Sequence, residues 1–278
     1  MKENSNISKI TIIGNTTWGQ AIATLINKEK AGVQILCRTE LEAKNRINKI
    51  DKLKSLPSSI QLSSDISTID NSELIILAFP SQSMRSNLNI IYNNLNQNHK
   101  FLIASKGIEK TSGKRLSEVL TEEITFVKEK NISILSGPNL AKEIYENKTT
   151  STVIASKNFS LLNNIKTVIE SNKFKIYLSD DTIGVELGGA LKNIVTLGAG
   201  ICDGLNIGNN LKGAFISIAF SEIVKLALLA GAQTVTISGL SGLGDILASS
   251  YSPLSRNRLA GQYLAEGYSI NTIHKKIN

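Results

Sequence analysis

The stretch KITIIGNTTWGQAIATLINK, residues 9–28, decides the fold. An apolar, β-branched run ends in a turn with two glycines, Gly14 and Gly19, and a helical pattern begins inside that turn. The N-terminus of a helix presents unpaired N–H groups and the positive end of the helix dipole, so it favours an anion such as a phosphate. The segment therefore predicts a buried strand, an anion-binding turn and a crossover helix.

The turn GNTTWG, residues 14–19, partly matches the G-x-G-x-x-G fingerprint of dinucleotide-binding folds. Gly14 and Gly19 occupy the first and third glycine positions, whereas Thr16 replaces the middle glycine, which normally lets the pyrophosphate approach the backbone. Taken alone the match is weak, because strand–helix turns with two glycines also occur without a nucleotide. The second predicted strand ends near Arg38, where such folds contact the adenosine ribose. Since an arginine suits a 2′-phosphate, Arg38 favours NADP over NAD. The alternative is an ordinary exposed arginine in a basic segment.

Periodicity divides the chain into two parts. Short β-branched runs alternate with helical patterns up to residue 180, and Gly-, Ala- and Leu-rich helical segments follow at 182–201, 210–230 and 256–266. The predicted strands are 9–14, 33–38, 73–79, 100–105, 132–135, 152–155 and 174–178, and the predicted helices between them are 18–28, 81–95, 113–122 and 160–171. We therefore expect an α/β protein with a Rossmann-type, mostly parallel sheet domain over 1–180 and an all-α substrate domain over 181–278. Without a linker between them, we expect a cleft that binds ligands.

Composition indicates a globular protein of the cytoplasm. The 278 residues are 41% hydrophobic and 19% charged, which excludes a disordered or disulfide-stapled chain. The longest apolar runs are far shorter than the ~20 residues of a transmembrane helix, and the polar N-terminus lacks a secretory signal. We therefore expect a soluble, cytoplasmic protein without membrane insertion.

The charged and reactive side chains point to a small anionic ligand. The net charge of +8 is spread along the chain and lacks the interleaved aromatic residues of a nucleic-acid interface, so no nucleic-acid partner is expected. Two cysteines and two histidines have no metal-ligand spacing and cannot build a Ser-His-Asp set. The sequence therefore predicts no metal site. It does not determine the oligomeric state, and a homodimer is one option.

Three motifs follow predicted strands at the carboxyl edge of the sheet, where ligands bind in open α/β folds. They are FPSQSMR at 79–85, ASKGIEKTSG at 104–113 and SGPNLAKE at 136–143. Lys106 in the second motif can reach a phosphate as a point charge, although most loop lysines are merely solvated. The Gly-Pro turn of the third motif leads into a predicted helix and can receive an anion.

The string GVELGGALKN, residues 184–193, is the most informative part of the second domain. A glycine inside a helix costs about 1 kcal/mol relative to alanine, so three of them indicate close approach of a backbone or a ligand. Lys192 lies four residues beyond Gly188 on the same helical face and is a candidate for general acid–base work. The alternative is a lysine that snorkels at a helix edge.

Two downstream strings supply partners for this lysine. GLSGLGD, residues 239–245, ends in Asp245, which can pair with Lys192, and SRNR, residues 255–258, carries Arg256, which can bind a phosphate with its forked guanidinium. Read separately, these strings are a loop, a helix cap and a surface arginine.

Taken together and in order, GNTTWG, AFPSQSMR, ASKGIE, LSGPNLAKEI, GVELGGALKNI, DGLNIGNN, GLSGLGD and SRNR resemble the bacterial NAD(P)-dependent glycerol-3-phosphate dehydrogenase family. The resemblance covers residues 9 to about 268. It implies an oxidoreductase that interconverts dihydroxyacetone phosphate and sn-glycerol 3-phosphate with NADP or NAD, for phospholipid synthesis.

The resemblance also assigns residues to roles. It implies that Lys192 is the catalytic proton donor and acceptor, oriented by Asp245. The implied cofactor contacts are Gly14, Thr17, Trp18, Gly19, Arg38, Lys106, Ala141 and Arg256. The implied contacts of the small phosphorylated substrate are Lys106, Gly137, Asn139, Asn193, Asp245, Ser255, Arg256 and Asn257.

The sequence departs from the family pattern at three places. Thr16 replaces a fingerprint glycine, Ile218 stands where the family usually has an arginine, and the chain ends before a Val-x-Glu-Gly string that closes over the cofactor. Two alternatives therefore stay open: a catalytically impaired cofactor-binding homologue, and a related Rossmann dehydrogenase with another substrate.

Overall fold

The computed structural model describes residues 7–51 and 55–277, which form two compact units. The first unit contains the described residues up to Leu135 together with Ala141–Thr182. The second contains Ser136–Leu140 and the described residues from Ile183 onward. The short segment Ser136–Leu140 therefore groups with the helices, whereas a single boundary at residue 180 would assign it to the sheet domain.

The first unit contains an eight-stranded sheet in the order β3-β2-β1-β4-β5-β6-β7-β8. Its strands are β1 (Lys9–Ile13), β2 (Gly32–Leu36), β3 (Ile60–Ser63), β4 (Leu74–Leu77), β5 (Lys100–Ile103), β6 (Ile132–Ser136), β7 (Thr150–Ala155) and β8 (Phe174–Ser179). The pairings from β3 through β6 are parallel. This 3-2-1-4-5-6 order is that of Rossmann folds, and its direction reverses between β1 and β4, where a ligand crevice is expected. The α/β fold class is confirmed.

Alternation along the strands builds one apolar core on each face of the sheet. Leu74 and Ile76 of β4 belong to one cluster, and Ile75 and Leu77 belong to the other. Because both faces are covered, β4 is an uninterrupted apolar run, which made it easy to predict. The strand β3 was missed because its sequence, IQLS, is short and half polar.

Helices cover the sheet. They are α1 (Thr17–Leu25), α2 (Glu40–Lys44), α3 (Met84–Ile91), α4 (Leu116–Glu123), α5 (Ala141–Tyr145) and α6 (Phe159–Ile169). The helix α5 follows the SGPNLAKE turn, as predicted. The five-residue helix α2 was not predicted, because barely more than one turn carries no readable apolar period.

The second unit is helical, as predicted. It contains α7 (Thr182–Gly204), α8 (Gly208–Leu229), α9 (Thr234–Ile237), α10 (Asp245–Tyr251), α11 (Arg256–Ala265) and α12 (Ile270–Ile277), and a π-helical turn, Leu240–Gly244, leads into α10. Among the described residues, α7 is the one helix long and apolar enough to cross a membrane. Because 67% of its apolar window is buried inside the protein, α7 is a core helix.

His99, in the loop that precedes β5, is only 2% exposed. Its Nδ1 accepts a hydrogen bond from the Asn96 N–H at 2.8 Å, so Nε2 carries the proton and donates to the carbonyl of Ile69 at 3.2 Å. Burial lowers the pKa of His99 below its ordinary value of 6.5, against the opposing effect of these hydrogen bonds. The folded protein therefore holds a neutral imidazole.

This burial predicts a loss of stability in mild acid. As the pH falls through 6.5, His99 becomes protonated in the unfolded chain but stays neutral in the native protein. The free energy of unfolding therefore decreases by at most about 1.4 kcal/mol per pH unit. Urea unfolding at several pH values between 7.5 and 5 measures this slope. His99→Gln should remove it, whereas His274→Gln, at an exposed position, should keep it. An unchanged slope in His99→Gln would contradict the assignment.

Candidate active site

The turn after β1 has the geometry of a dinucleotide fingerprint even though its middle glycine is missing. Gly14 has a φ of +116°, and a Cβ there would lie 2.6 Å from the carbonyl oxygen of Ala78, so this position requires glycine. Thr16 has a φ of −103° and caps α1. Its Oγ1 accepts from the Gly19 N–H at 2.9 Å and donates to the Ala78 carbonyl at 2.8 Å. Threonine is therefore accommodated without backbone strain and ties the turn to β4.

The residues around this turn fit a dinucleotide. The first N–H groups of a helix have no intrahelical partner, so those of Thr17 and Trp18 at the start of α1 are oriented for a pyrophosphate. Thr17 is exposed, and the indole N–H of Trp18 donates to the carbonyl of Ala104 at 2.9 Å. Any contact that Trp18 makes with a cofactor must therefore use its ring or its backbone.

Arg38 follows β2 and carries an exposed guanidinium beside a half-buried carboxylate. Glu42 accepts a hydrogen bond from the Arg38 backbone N–H at 3.0 Å, its Oε2 lies 3.8 Å from Arg38 Nε, and its Oε1 lies 3.2 Å from Lys49 Nζ. Burial alone would raise the pKa of Glu42, but these hydrogen bonds and charges together hold it below 4.5. Glu42 is therefore an anion at neutral pH.

The loop that carries Lys106 is held by the SQSMR turn at 81–85. The side-chain amide of Gln82 donates to the carbonyl of Ile108 at 2.8 Å and accepts from the N–H of Lys110 at 3.0 Å. Arg85 forms a two-pronged ion pair with Glu109 at 2.8 and 2.9 Å. The hydrogen bonds from Arg85 and then Ser112 lower the pKa of Glu109, so the clamp stays charged. Half-buried Lys106 is thus presented by a fixed loop.

In the helical unit, Lys192, Asp245 and Ser249 form a closed triangle. Lys192 Nζ lies 2.8 Å from Asp245 Oδ1 and 2.7 Å from Ser249 Oγ, and Ser249 Oγ lies 3.1 Å from the same carboxylate oxygen. The Lys192 and Asp245 side chains are 14% and 2% exposed. Two fixed partners orient this ammonium, so the snorkelling alternative is wrong.

Gly188 explains how the triangle forms. A Cβ on Gly188 of α7 would lie 2.7 Å from the carbonyl oxygen of Ser241, in the π-helical turn Leu240–Gly244. The missing side chain lets that turn pack directly against α7, one helical turn from Lys192. Asp245 directly follows the last residue of this turn, Gly244, so the close packing brings the Asp245 carboxylate to Lys192. The expected backbone approach at this glycine is therefore present.

The start of α11 gathers the other predicted substrate residues of the helical unit. Buried Ser255 caps the helix by accepting from the Arg258 N–H, and the Asn257 side chain donates to Asn193 Oδ1 at 2.8 Å. Arg256 is exposed in the first turn of α11. The side chains of Asn193 and Asn257 are thus brought together beside a helix N-terminus, which suits a phosphate.

The remaining predicted residues lie near the end of β6. Gly137 is buried with a φ of +153°, and Asn139 is half-buried; both belong to Ser136–Leu140, which groups with the helical unit. Ala141 is half-buried at the start of α5 in the sheet unit. The structure therefore assigns the halves of this motif to different units.

Sequence reasoning missed Ser249 and Glu42. Ser249 lies four residues after Asp245, one turn along α10, and that spacing was its readable signal. Glu42 was hidden because α2 was not predicted. Ile218, at the position of the usual arginine, is 68% exposed on α8 and makes no contact that explains the change.

The described residues offer neither a metal centre nor a reactive thiol. No group of three or more His, Cys, Asp or Glu side chains within residues 7–51 and 55–277 could hold a metal ion. Cys37 and Cys202 are free and buried, and burial followed by the charge of Glu42 raises the pKa of Cys37 to about 11.

Comparison with known proteins shows the family to which this chain is related. Residues 9–162 match the model of the NAD-dependent glycerol-3-phosphate dehydrogenase N-terminus, and residues 181–278 match that of the C-terminus. A glycerol-3-phosphate dehydrogenase (NAD(P)+) of Dehalococcoides mccartyi strain BAV1 is 40% identical over 96% of this chain and 76% of its own length. One from Fusobacterium nucleatum is 35% identical, over 97% and 82%. The crystal structure of the Coxiella burnetii enzyme superposes with a TM-score of 0.90 at 27% identity, covering 98% of this chain and 84% of that one.

Proposed function

Because this chain belongs to the NAD-dependent glycerol-3-phosphate dehydrogenase family, we propose that Lys192 is its acid and base in the interconversion of dihydroxyacetone phosphate and sn-glycerol 3-phosphate. The chain is an NAD(P)-dependent oxidoreductase. The observation that supports the role of Lys192 is the orientation of its ammonium group by Asp245 and Ser249 inside the helical unit.

The chemistry requires a proton donor beside the substrate carbonyl. When bound, the nicotinamide cofactor supplies a hydride to C2 of the ketone or accepts one from the alcohol. In reduction, negative charge develops on the C2 oxygen, and the Lys192 ammonium stabilises it and gives it a proton. In oxidation, the neutral amine removes that proton, and Asp245 stabilises the ammonium that results. Ser249 keeps Nζ from rotating away, because it fixes a second N–H direction.

The phosphate of the substrate needs cations and N–H donors. We assign Arg256 and Asn257, at the start of α11, to the substrate phosphate, with Lys106 as a second cation. The further polar contacts assigned to the substrate are Ser255, Asn193, Gly137 and Asn139. The exposed guanidinium of Arg256 can bind phosphate oxygens with two parallel N–H donors. The cofactor contacts assigned are Gly14, Thr17, Trp18, Gly19, Arg38, Lys106, Ala141 and Arg256.

The cofactor assignment is supported by the turn after β1. Gly14 allows the turn to approach β4 closely, and Thr17 and Trp18 are the first residues of α1. Their backbone N–H groups would therefore hold a pyrophosphate at the start of this helix. Either NADP or NAD is compatible with these contacts.

The expected activity is oxidation of NADPH and NADH by the purified chain in the presence of dihydroxyacetone phosphate, followed by the loss of nicotinamide absorbance. Dihydroxyacetone without its phosphate is the matched control and should react far more slowly, because it cannot engage Arg256 or Lys106. Oxidation of neither cofactor would favour the catalytically impaired homologue. Turnover with another ketone and not with dihydroxyacetone phosphate would favour a related dehydrogenase.

The setting of this activity also belongs to the proposal. We place the enzyme in the cytoplasm, where it would supply glycerol phosphate for phospholipid synthesis without inserting into a membrane or binding nucleic acid. A homodimer is one option, and light scattering of the purified chain would measure it.

A further inference from the structure

Beyond the end of β2, the carboxylate of Glu42 on α2 lies between two cations, and the proposed proton transfer does not use it. Glu42 accepts a hydrogen bond from the Arg38 backbone, lies 3.8 Å from Arg38 Nε and lies 3.2 Å from Lys49 Nζ. Its side chain is 19% exposed, whereas that of Arg38 is 88% exposed. The carboxylate is therefore largely buried beside a guanidinium that is exposed to solvent.

Topology places this group near the cofactor turn. β2 is the parallel neighbour of β1, with Leu36 in register with Ile13, so Arg38 and the turn that begins at Gly14 leave the same edge of the sheet. In such folds the residue after β2 meets the adenosine ribose, and cofactors differ there by a 2′-hydroxyl or a 2′-phosphate. A 2′-phosphate favours uncompensated cations, and a 2′-hydroxyl favours a carboxylate acceptor.

We propose that Glu42 is a specificity-determining residue that lets this site accept both NAD and NADP, because it cancels part of the Arg38 charge. This inference rests on the proposed function, which puts the adenosine end of the cofactor at Arg38. With Glu42 ionised, Arg38, Lys49 and Glu42 sum to one positive charge. Without it, two cations remain and the balance shifts toward the 2′-phosphate.

The test compares Glu42→Gln with Glu40→Gln. Glutamine at position 42 keeps an acceptor for the Arg38 N–H and removes only the charge. Glu40 lies on the same helix and loses the same charge, but it pairs with Lys44 at 2.6 Å and its side chain is 74% exposed. Glu42→Ala provides a second variant, and the melting temperature of each variant reports its folding.

The readout is the affinity for two fragments that differ only by the 2′-phosphate, adenosine 2′,5′-bisphosphate and adenosine 5′-monophosphate. Calorimetry gives both dissociation constants, and the fluorescence of Trp18, the single tryptophan of the chain, follows NADPH and NADH. We expect Glu42→Gln to raise the preference for the 2′-phosphorylated fragment about two- to tenfold, with a smaller effect at high salt. Glu40→Gln should leave the preference unchanged.

Two results would overturn the inference in different ways. If the wild-type chain binds these fragments and Glu42→Gln leaves their ratio unchanged, or if Glu40→Gln shifts it equally, Glu42 does not set specificity and the proposed function stands. If the wild-type chain binds neither fragment nor either cofactor, the cofactor assignment fails and this inference fails with it.

Discussion

Lys192→Ala is expected to lower kcat by at least about 10²- to 10⁴-fold, the usual contribution of a positioned acid or base. Cofactor binding should stay near that of the wild type, because the residues assigned to the pyrophosphate lie on α1 and not on α7. Steady-state kinetics with dihydroxyacetone phosphate and Trp18 fluorescence with NADPH measure the two effects separately. A variant that retains most of its kcat would exclude Lys192 as the proton donor.

Stability must be controlled in this experiment, because the substitution strands a buried carboxylate. Removing one member of a buried ion pair typically costs about 3–5 kcal/mol, and the Asp245 side chain is only 2% exposed. The double variant Lys192→Ala/Asp245→Asn removes the stranded charge and should recover much of the stability without recovering activity. Lys225→Ala, which breaks the exposed pair with Glu222 on α8, is a matched lysine control that should leave kcat unchanged.

Gly188→Ala is expected to reduce both activity and stability, although alanine is the better helix former. The new Cβ would meet the backbone of Ser241 at 2.7 Å, and backbone cannot rotate away as a side chain can. The π-helical turn must therefore move, and Asp245 moves with it. A shift of about 1 Å at a catalytic group can cost on the order of 10²-fold in rate, and overpacking costs about 1–3 kcal/mol.

Gly213→Ala is the matched control for this prediction. Gly213 also lies inside a helix, α8, but a Cβ there meets nothing within 4 Å. That change should stabilise the protein by up to about 1 kcal/mol through helix propensity and leave kcat unchanged. Urea unfolding and kcat of the two variants decide the matter: equal behaviour would mean that the packing at Gly188 does not position Asp245.

The sheet could be predicted because its information is local. Strands buried on both faces are continuous apolar runs, and the glycines of the first turn stand at fixed offsets, so seven of the eight strands were found. What was missed in the sheet unit is short or polar: β3 has four residues, and α2 has five. Such elements owe their structure to neighbours and caps, which a window of sequence does not contain.

In the candidate site, too, some features could be predicted from local sequence and others could not. Lys192 and Asp245 could be paired from their motifs. The i, i+4 spacing of Ser249 from Asp245 could indicate a shared helical face, but the contact of Ser249 with Lys192 needed α10 to be placed against α7. The clamp of Gln82 and Arg85 on the Lys106 loop joins residues more than 20 positions apart. The pairing of Glu42 with Arg38 and Lys49 needs the unpredicted helix α2.

By itself, the sequence of this chain determined the parallel sheet, the helical second half and the chemical groups available for catalysis, because apolar period, turn residues and side-chain type are local properties. Tertiary structure alone decided the contacts that orient these groups, such as the hydrogen bonds of Ser249 to Lys192 and Asp245 and the pairing of Glu42 with Arg38 and Lys49. Those outcomes depend on contacts of a few ångströms between segments far apart in the chain, as at Gly188, where the absence of one methyl group lets a distant turn bring a carboxylate to an amine.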